Sequence, residues 1–244
     1  MNDAKSAKSA QKLTVQIWSD VVCPWCYIGK RRFEAALARF AHRDAVELTW
    51  HAFELDPSAP RSYEGQGTYA ARLARKYGTD VPKAEAMIAQ MTTTAAKDGL
   101  VFDFARARTG NTFDAHRLIH LARARGVEDA MKERLLLACF TEGEPIADKE
   151  TLARLASEVG IDAEAARAAL MSDAYADDVR ADEAKAHAMG VTGVPFFVVG
   201  GKYGVAGAQP PEMLLEVLER AWREEHGVEM ITGDGPVCDG DRCG

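Results

Sequence analysis

Apolar and polar positions alternate from Leu13 to Ser19 (Leu-Thr-Val-Gln-Ile-Trp-Ser). That period of two, carried by β-branched and aromatic residues, predicts a strand. A helix-like run begins at Tyr27, with an amphipathic helix expected over Arg31 to Ala41, and Val46 to Phe53 returns to a strand pattern, so the chain opens as a βαβ unit. From about Thr68 to about Met189 it turns Ala-rich, poor in β-branched runs and punctuated by Gly78, Gly99, Gly110, Gly126, Gly143 and Gly160. This block is predicted to be all-helical, with Asp148 as an N-cap. Phe196 to Val199 and Tyr203 to Ala206, on either side of Gly200-Gly201, predict a hairpin. A last helix is expected from Pro211 to Glu225, with Met213, Leu214, Val217, Leu218 and Ala221 on one face. The helical block thus interrupts an α/β scaffold. Expected divisions are a flexible segment 1–12, a discontinuous α/β domain 13–67 with 186–227, a helical insertion 68–185, and a Gly-rich acidic tail 228–244.

With 47% hydrophobic residues, 244 residues suffice for a packed core without covalent staples. A net charge of -7 argues against a nucleic-acid surface, because phosphate binding needs clustered excess Lys and Arg. Met1 to Lys12 lacks the apolar stretch of a secretory signal, and nothing later is long enough to span a bilayer. A cytoplasmic protein without a membrane partner is expected. Five cysteines are too few for a disulfide-built scaffold, and in a reducing compartment a Cys-x-x-Cys is catalytic or metal-binding more often than structural.

Cys23-Pro24-Trp25-Cys26 lies at the junction between the first strand and the first helix. Cys23 falls at the expected N-cap and Pro24 at the first helical position, where its missing N–H costs nothing. Unpaired N–H groups and the helix dipole favour a thiolate at Cys23, with a pKa anywhere from about 3.5 to 7.5. Cys23 is expected to be the exposed sulfur that attacks or is attacked, and Cys26, one turn further in, to resolve. A low Cys23 pKa makes it a better leaving group and the protein more oxidising. Pro24-Trp25 adds no cation between the sulfurs, so a potential between about -270 and about -120 mV is expected. Trp25 is expected to be exposed and to contact substrate, whereas Trp18 and Trp50 fall in strand patterns and belong to the core.

The competing reading of Cys-x-x-Cys is half a zinc site completed by Cys238 and Cys243. Pro24 stiffens the loop and removes an N–H, and Cys-x4-Cys is loose for zinc, so no metal is expected. Cys238 and Cys243 read equally as a second redox pair exchanging with Cys23 and Cys26 or with an outside reductant, or as an incidental tail disulfide or spectator thiols. Cys139 sits in an apolar helical stretch and reads as a small buried hydrophobe. Lys30-Arg31-Arg32 reads as a solvated face. His51 and His116 have no carboxylate or cysteine at ligand spacing, which leaves them ordinary polar or packing roles.

Cys23-Pro24-Trp25-Cys26 after a strand, Val194-Pro195 before a late strand and a helical block between the scaffold halves together resemble the DsbA-like branch of the thioredoxin superfamily. The stretches Asp20 to Gly29 and Thr192 to Phe197 are most similar to its FrnE-type members, and the resemblance covers about residues 13–227. It implies a thioredoxin-like fold with a large inserted α-helical domain and a C-terminal redox tail. It also implies a cis-proline at Pro195 beside the active-site sulfurs, and a Val194 backbone that hydrogen-bonds an extended substrate. Thr112 to His120 is similar to the segment that faces the active site in glutathione-dependent isomerases of this fold, which implies a cleft between the domains. The implied activity is thiol–disulfide exchange, with isomerisation as a variant, on cysteine-containing client proteins. The resemblance further implies no bound cofactor beyond the redox cysteines, glutathione or a thioredoxin-type protein as electron partner, a monomer or weak dimer, and a role in oxidative stress. Two alternatives stand beside it. One is glutathione-dependent isomerisation of a small aromatic or polyketide-like substrate, against which Cys23 counts because those relatives usually carry serine there. The other is a holdase chaperone using the apolar cleft.

Overall fold

The computed structural model describes residues 12–227 and the backbones of 238–239 and 242–243. Strand β1 (Leu13–Ser19) leads through a short turn into helix α1 (Pro24–Arg39), a single 3-10 turn and strand β2 (Val46–Ala52). Seven helices follow: α2 (Tyr69–Tyr77), α3 (Val81–Lys97), α4 (Phe113–Ala124), α5 (Glu128–Leu137), α6 (Lys149–Glu158), α7 (Ala163–Met171) and α8 (Ala176–Ala188). The chain then returns as β3 (Phe196–Val199), β4 (Tyr203–Ala206) and α9 (Pro211–His226).

The sheet order is β2-β1-β3-β4, with β1 parallel to β2 and antiparallel to β3. As a central strand covered on both faces, β1 buries Leu13, Val15 and Ile17 on one side and Trp18 on the other. Helices α1 and α9 pack together on the first side, where Phe33, Leu214 and Leu218 join the core. On the second side α8 packs against β2, and Ala186, Val191 and Val198 close around Trp18. Complete burial of each such Leu, Ile or Phe contributes about 1.5–3 kcal/mol. The core runs without a break from the sheet into the helical block through Leu118, Met131, Leu135 and Phe140.

Local signals explain the boundaries. Gly200 and Gly201 take φ of 58° and 64°, the left-handed pair at the centre of the turn that Lys202 N–H closes onto Val199 O at 3.2 Å. The Asp148 side chain accepts from Thr151 N at 2.8 Å, as expected of an N-cap. Helix α1 starts earlier than its amphipathic stretch suggests, at Pro24, and ends at Arg39, where Phe40 turns to an extended conformation and buries its ring.

Lys30-Arg31-Arg32 is not a solvated face. Lys30 is 2% exposed and meets Glu34, Asp129 and Glu133, Arg31 pairs with Glu133 and Glu34, and Arg32 pairs with Asp98 at 3.0 Å. Most of these acids come from α5 and from the end of α3, which cover a side of α1 that the local pattern leaves open.

Candidate active site

At the end of β1 the chain turns through Asp20, Val21 and Val22, and the Cys23 N–H donates to Asp20 O at 3.3 Å. Cys23, extended at φ -96° and ψ 111°, is the N-cap of α1, and Pro24 is the first residue of the helix, both as expected. The Cys26 N–H closes the first turn onto Cys23 O at 3.0 Å. The structure departs from expectation in access. Cys23 is only 4% exposed and Cys26 only 1%, with the Val194 loop packed against the Cys23 sulfur, whereas Trp25 between them is 42% exposed. Cys23 nonetheless lines a cavity of about 590 Å³.

The late loop supplies the opposite wall. Val194-Pro195 is cis, and the Cys23 thiol donates to the Val194 carbonyl at 3.6 Å. Pro195 presses directly on α1: a Cβ added at Gly29 would lie 2.8 Å from Pro195 Cγ, so only glycine fits. The other side of the cavity belongs to α2 and α3, with Tyr69, Met87 and Met91 among its lining. Arg72 stands at its rim. The guanidinium lies 5.0 Å from the Tyr63 ring and 5.5 Å from the Tyr69 ring and donates to Gly67 O at 2.9 Å, and burial lowers its pKa.

Behind the sulfurs is a buried polar layer that sequence reasoning missed. Asp20, fully buried, accepts from Leu55 N at 2.8 Å and lies 3.3 Å from His116 Nε2. Burial alone would raise the Asp20 pKa, but the hydrogen bond and charge of His116 overcome it and hold the carboxyl below its ordinary value. Lys132, from α5, donates to Ser19 O at 3.4 Å. A hydrogen bond to Cys26, followed by burial, pushes Cys23 well up. Against its own burial, Cys26 is drawn down by Cys23, by the Lys132 charge and by the neighbouring Asp20 N–H and Ser19 hydroxyl dipoles. These directions differ from the low Cys23 pKa expected: local chain direction gives the helix dipole, but the groups acting on Cys26 come from β1, the turn after it and α5.

Both histidines read as unpaired have carboxylate partners. His116 faces Asp20, and His51 Nδ1 bonds Asp182, which also accepts from Ala52 N at 2.9 Å and lies 3.0 Å from His120 Nε2. These partners are far apart in sequence, so no spacing rule could find them. Trp18 and Trp50 are buried and Trp25 is not, as expected. Cys139 is fully buried, and burial raises its thiol far above the ordinary value, which suits an inert side chain. For Lys132 a signal was available: it falls between Met131 and Leu135-Leu136 on the apolar stripe of α5. In the tail, β5 (Cys238–Asp239) and β6 (Arg242–Cys243) pair antiparallel with Cys238 opposite Cys243. The sulfurs of that second pair, like the segment 1–11 expected to be flexible, lie outside the described residues.

The sequence model of the DSBA-like thioredoxin domain matches residues 14–219. The chain belongs to that family. A probable DsbA oxidoreductase from Streptomyces coelicolor is similar in structure, with TM-score 0.82 and 42% identity over 95% of this chain and 98% of that one. The Bacillus subtilis (strain 168) protein YwbO is 30% identical over 190 residues, 76% of this chain and 86% of that one. The DsbA-like fold is shared more distantly by a 2-hydroxychromene-2-carboxylate isomerase, at TM-score 0.64 and 16% identity over 87% of this chain and 97% of that one. The DsbA-like chain is thus one of a family of thiol–disulfide oxidoreductases. Among its described residues no helix is long and apolar enough to cross a membrane.

Proposed function

We propose that this protein is a cytoplasmic thiol–disulfide oxidoreductase of cysteine-containing polypeptides that cycles Cys23 and Cys26 between disulfide and dithiol. The observation that carries the reading is the placement of Cys23 between the start of α1, the Val194 carbonyl and an open cavity. A client thiolate attacks Cys23, the Cys23–Cys26 bond breaks, and Cys26 leaves with the electron pair. A second client thiolate then attacks the client sulfur of the mixed disulfide, Cys23 leaves, and the client carries the new disulfide. Both steps are thiolate exchange, so they run in either direction according to the potentials of the partners.

Client recognition follows from the cavity walls. The Val194 carbonyl, released when Cys23 is bonded to a client, accepts an N–H from an extended segment. Trp25, Leu55, Tyr77 and Met87 give the cavity an exposed apolar rim, and Arg72, Arg75 and Lys76 add cations along α2. This suits unfolded segments carrying apolar and acidic residues near the cysteine. Glutathione or a thioredoxin-type protein resets the pair, and Cys238 with Cys243 relays electrons to it. The working division is a thioredoxin-like domain, 13–67 with 186–227, around the helical insertion 68–185.

The test is catalysis of insulin reduction by dithiothreitol, with Cys26→Ala used to trap clients on Cys23. Acceleration that Cys23→Ser abolishes supports the reading. The isomerase alternative is favoured by the distant fold likeness and the size of the cavity; it predicts glutathione binding with no acceleration. A holdase predicts aggregation protection that survives Cys23→Ser.

A further inference from the structure

Among the described residues two lysines are almost wholly buried, Lys30 and Lys132. They differ in how their charge is met. Lys30 has three carboxylates within ion-pair distance. Lys132, at 0% exposure, has a backbone acceptor, Ser19 O at 3.4 Å, and the Trp50 ring at 5.5 Å. An ammonium taken out of water without an adjacent anion is strongly disfavoured, so a compensating charge must stand close by. The charged and titratable groups facing it are Cys26, Asp20 and Cys23, with Glu128 one turn earlier on its own helix. Asp20 is already held by His116 and Leu55 N–H, and Glu128 by Trp50 N–H and Arg123. Asp20, ionised, answers part of the charge, and Cys26 is the sulfur that answers it further once it is a thiolate. The Ser19 hydroxyl, which also draws Cys26 down, is fully buried and has no hydrogen-bond partner of its own.

We infer that Lys132 is a positioning residue, supplied to the thiol pair by the helical block, that holds Cys26 as the thiolate which leaves when a client thiolate attacks Cys23. This deepens the oxidoreductase reading and rests on it. When the client sulfur bonds to Cys23 and the Cys23–Cys26 bond breaks, the electron pair arrives at Cys26 beside a cation already in place. No proton need move for the bond to break, and a stabilised leaving group leaves faster. The second client thiolate completes the transfer of two electrons from the client dithiol to the protein. Of the two client protons, one becomes the shared thiol proton of the reduced pair. The other goes to solvent, or to Lys132 where that residue is neutral.

The last point couples redox state to pH. Burial lowers the Lys132 pKa to about 8, with the Cys26 charge the foremost influence holding it up. In the disulfide that charge is gone, so Lys132 loses its proton more readily. While Cys26 stays a thiolate, reduction therefore takes up one proton where Lys132 has the same charge in both forms, and a second, at Lys132, where only the reduced form keeps it protonated. With about 30 mV per tenfold change for a two-electron couple, the potential should fall by about 30 mV per pH unit, steepen towards about 59 mV as pH 8 is approached from below, and return to about 30 mV above it.

The experiment compares the full-length protein with Lys132→Met, which keeps length and removes charge. Readouts are the potential against glutathione from pH 5 to 9 and, in a Cys23→Ser background with and without Lys132→Met, the Cys26 titration by thiolate absorbance. The inference expects the Lys132→Met equilibrium to be at least tenfold less oxidising at pH 7, Cys26 to titrate at least one unit higher, and client oxidation to slow at least tenfold. A folded Lys132→Met protein with unchanged potential and Cys26 titration overturns it. Should Lys132→Met fail to fold, the unmodified protein decides: a steepening slope supports the inference, and one constant slope from pH 5 to 9 overturns it. Loss of insulin reduction is judged separately with Cys23→Ser, so the two readings fail on different data.

Discussion

The Val194 carbonyl oxygen lies 3.6 Å from the Cys23 sulfur, at the end of a cis Val194-Pro195 peptide that the chain reaches only after the whole helical block. That contact joins the start of α1 to the loop before β3 and makes one wall of the cavity. It also explains why Cys23 is nearly buried while remaining the sulfur that faces it.

Gly29→Ala tests the packing behind this contact. The added methyl would sit 2.8 Å from Pro195 Cγ and must displace the proline or α1. Overpacking of this kind costs about 1–3 kcal/mol. Thermal denaturation should show that loss, and insulin reduction measured well below the new midpoint should fall further than the lost stability accounts for, because Val194 moves with Pro195.

Equilibration with glutathione measures the potential directly. A value between about -270 and about -120 mV is expected, on the oxidising side of thioredoxin. Stabilisation of Cys26 as thiolate favours the reduced protein and so shifts the value upward within that window. A more reducing value would mean that the donors around Cys26 do not act on its charge.

Asp182 ties β2 to α4 and α8 through His51, His120 and the Ala52 N–H. Asp182→Ala leaves those donors buried without an acceptor and should cost about 3–5 kcal/mol, read as a lower denaturant midpoint at pH 7. Burial opposes its ionisation, but His120, 3.0 Å away, and the hydrogen bond from His51 hold its pKa below the ordinary value, as His116 does for Asp20. A carboxyl with a lowered folded pKa binds fewer protons folded than unfolded. Its contribution is complete above about pH 4 and is lost as pH falls through the folded pKa. Acid unfolding should therefore begin below about pH 4, and Asp182→Ala should flatten it.

Removal of residues 228–244 tests the tail pair, whose backbone places Cys238 opposite Cys243. A relay predicts slower turnover with glutathione as electron partner while the Cys23–Cys26 potential stays unchanged. Equal turnover would reduce the tail cysteines to spectators.

How far the chain could be read follows the range of the forces involved. Alternation at Leu13–Ser19, the Gly200-Gly201 turn, the Asp148 cap and the Cys23-Pro24 helix start all rest on neighbours a few residues away, and each element forms where its pattern puts it. Lys30-Arg31-Arg32 was misread because its acids lie on α3's end and α5, and His51 and His116 because Asp182 and Asp20 reach them only in the folded chain.

Local pattern in the chain is enough for the strands and helices, the dithiol at the start of α1 and the proline that meets it. The folded arrangement sets which charges and dipoles surround each sulfur and how much of the pair solvent can reach. Backbone preferences and capping act over single turns, whereas the ionisation of a buried thiol depends on every charge and dipole packed around it. Lys132, Ser19 and Asp20 come to surround Cys26 from β1, its following turn and α5 only once the helical block has closed over the sheet.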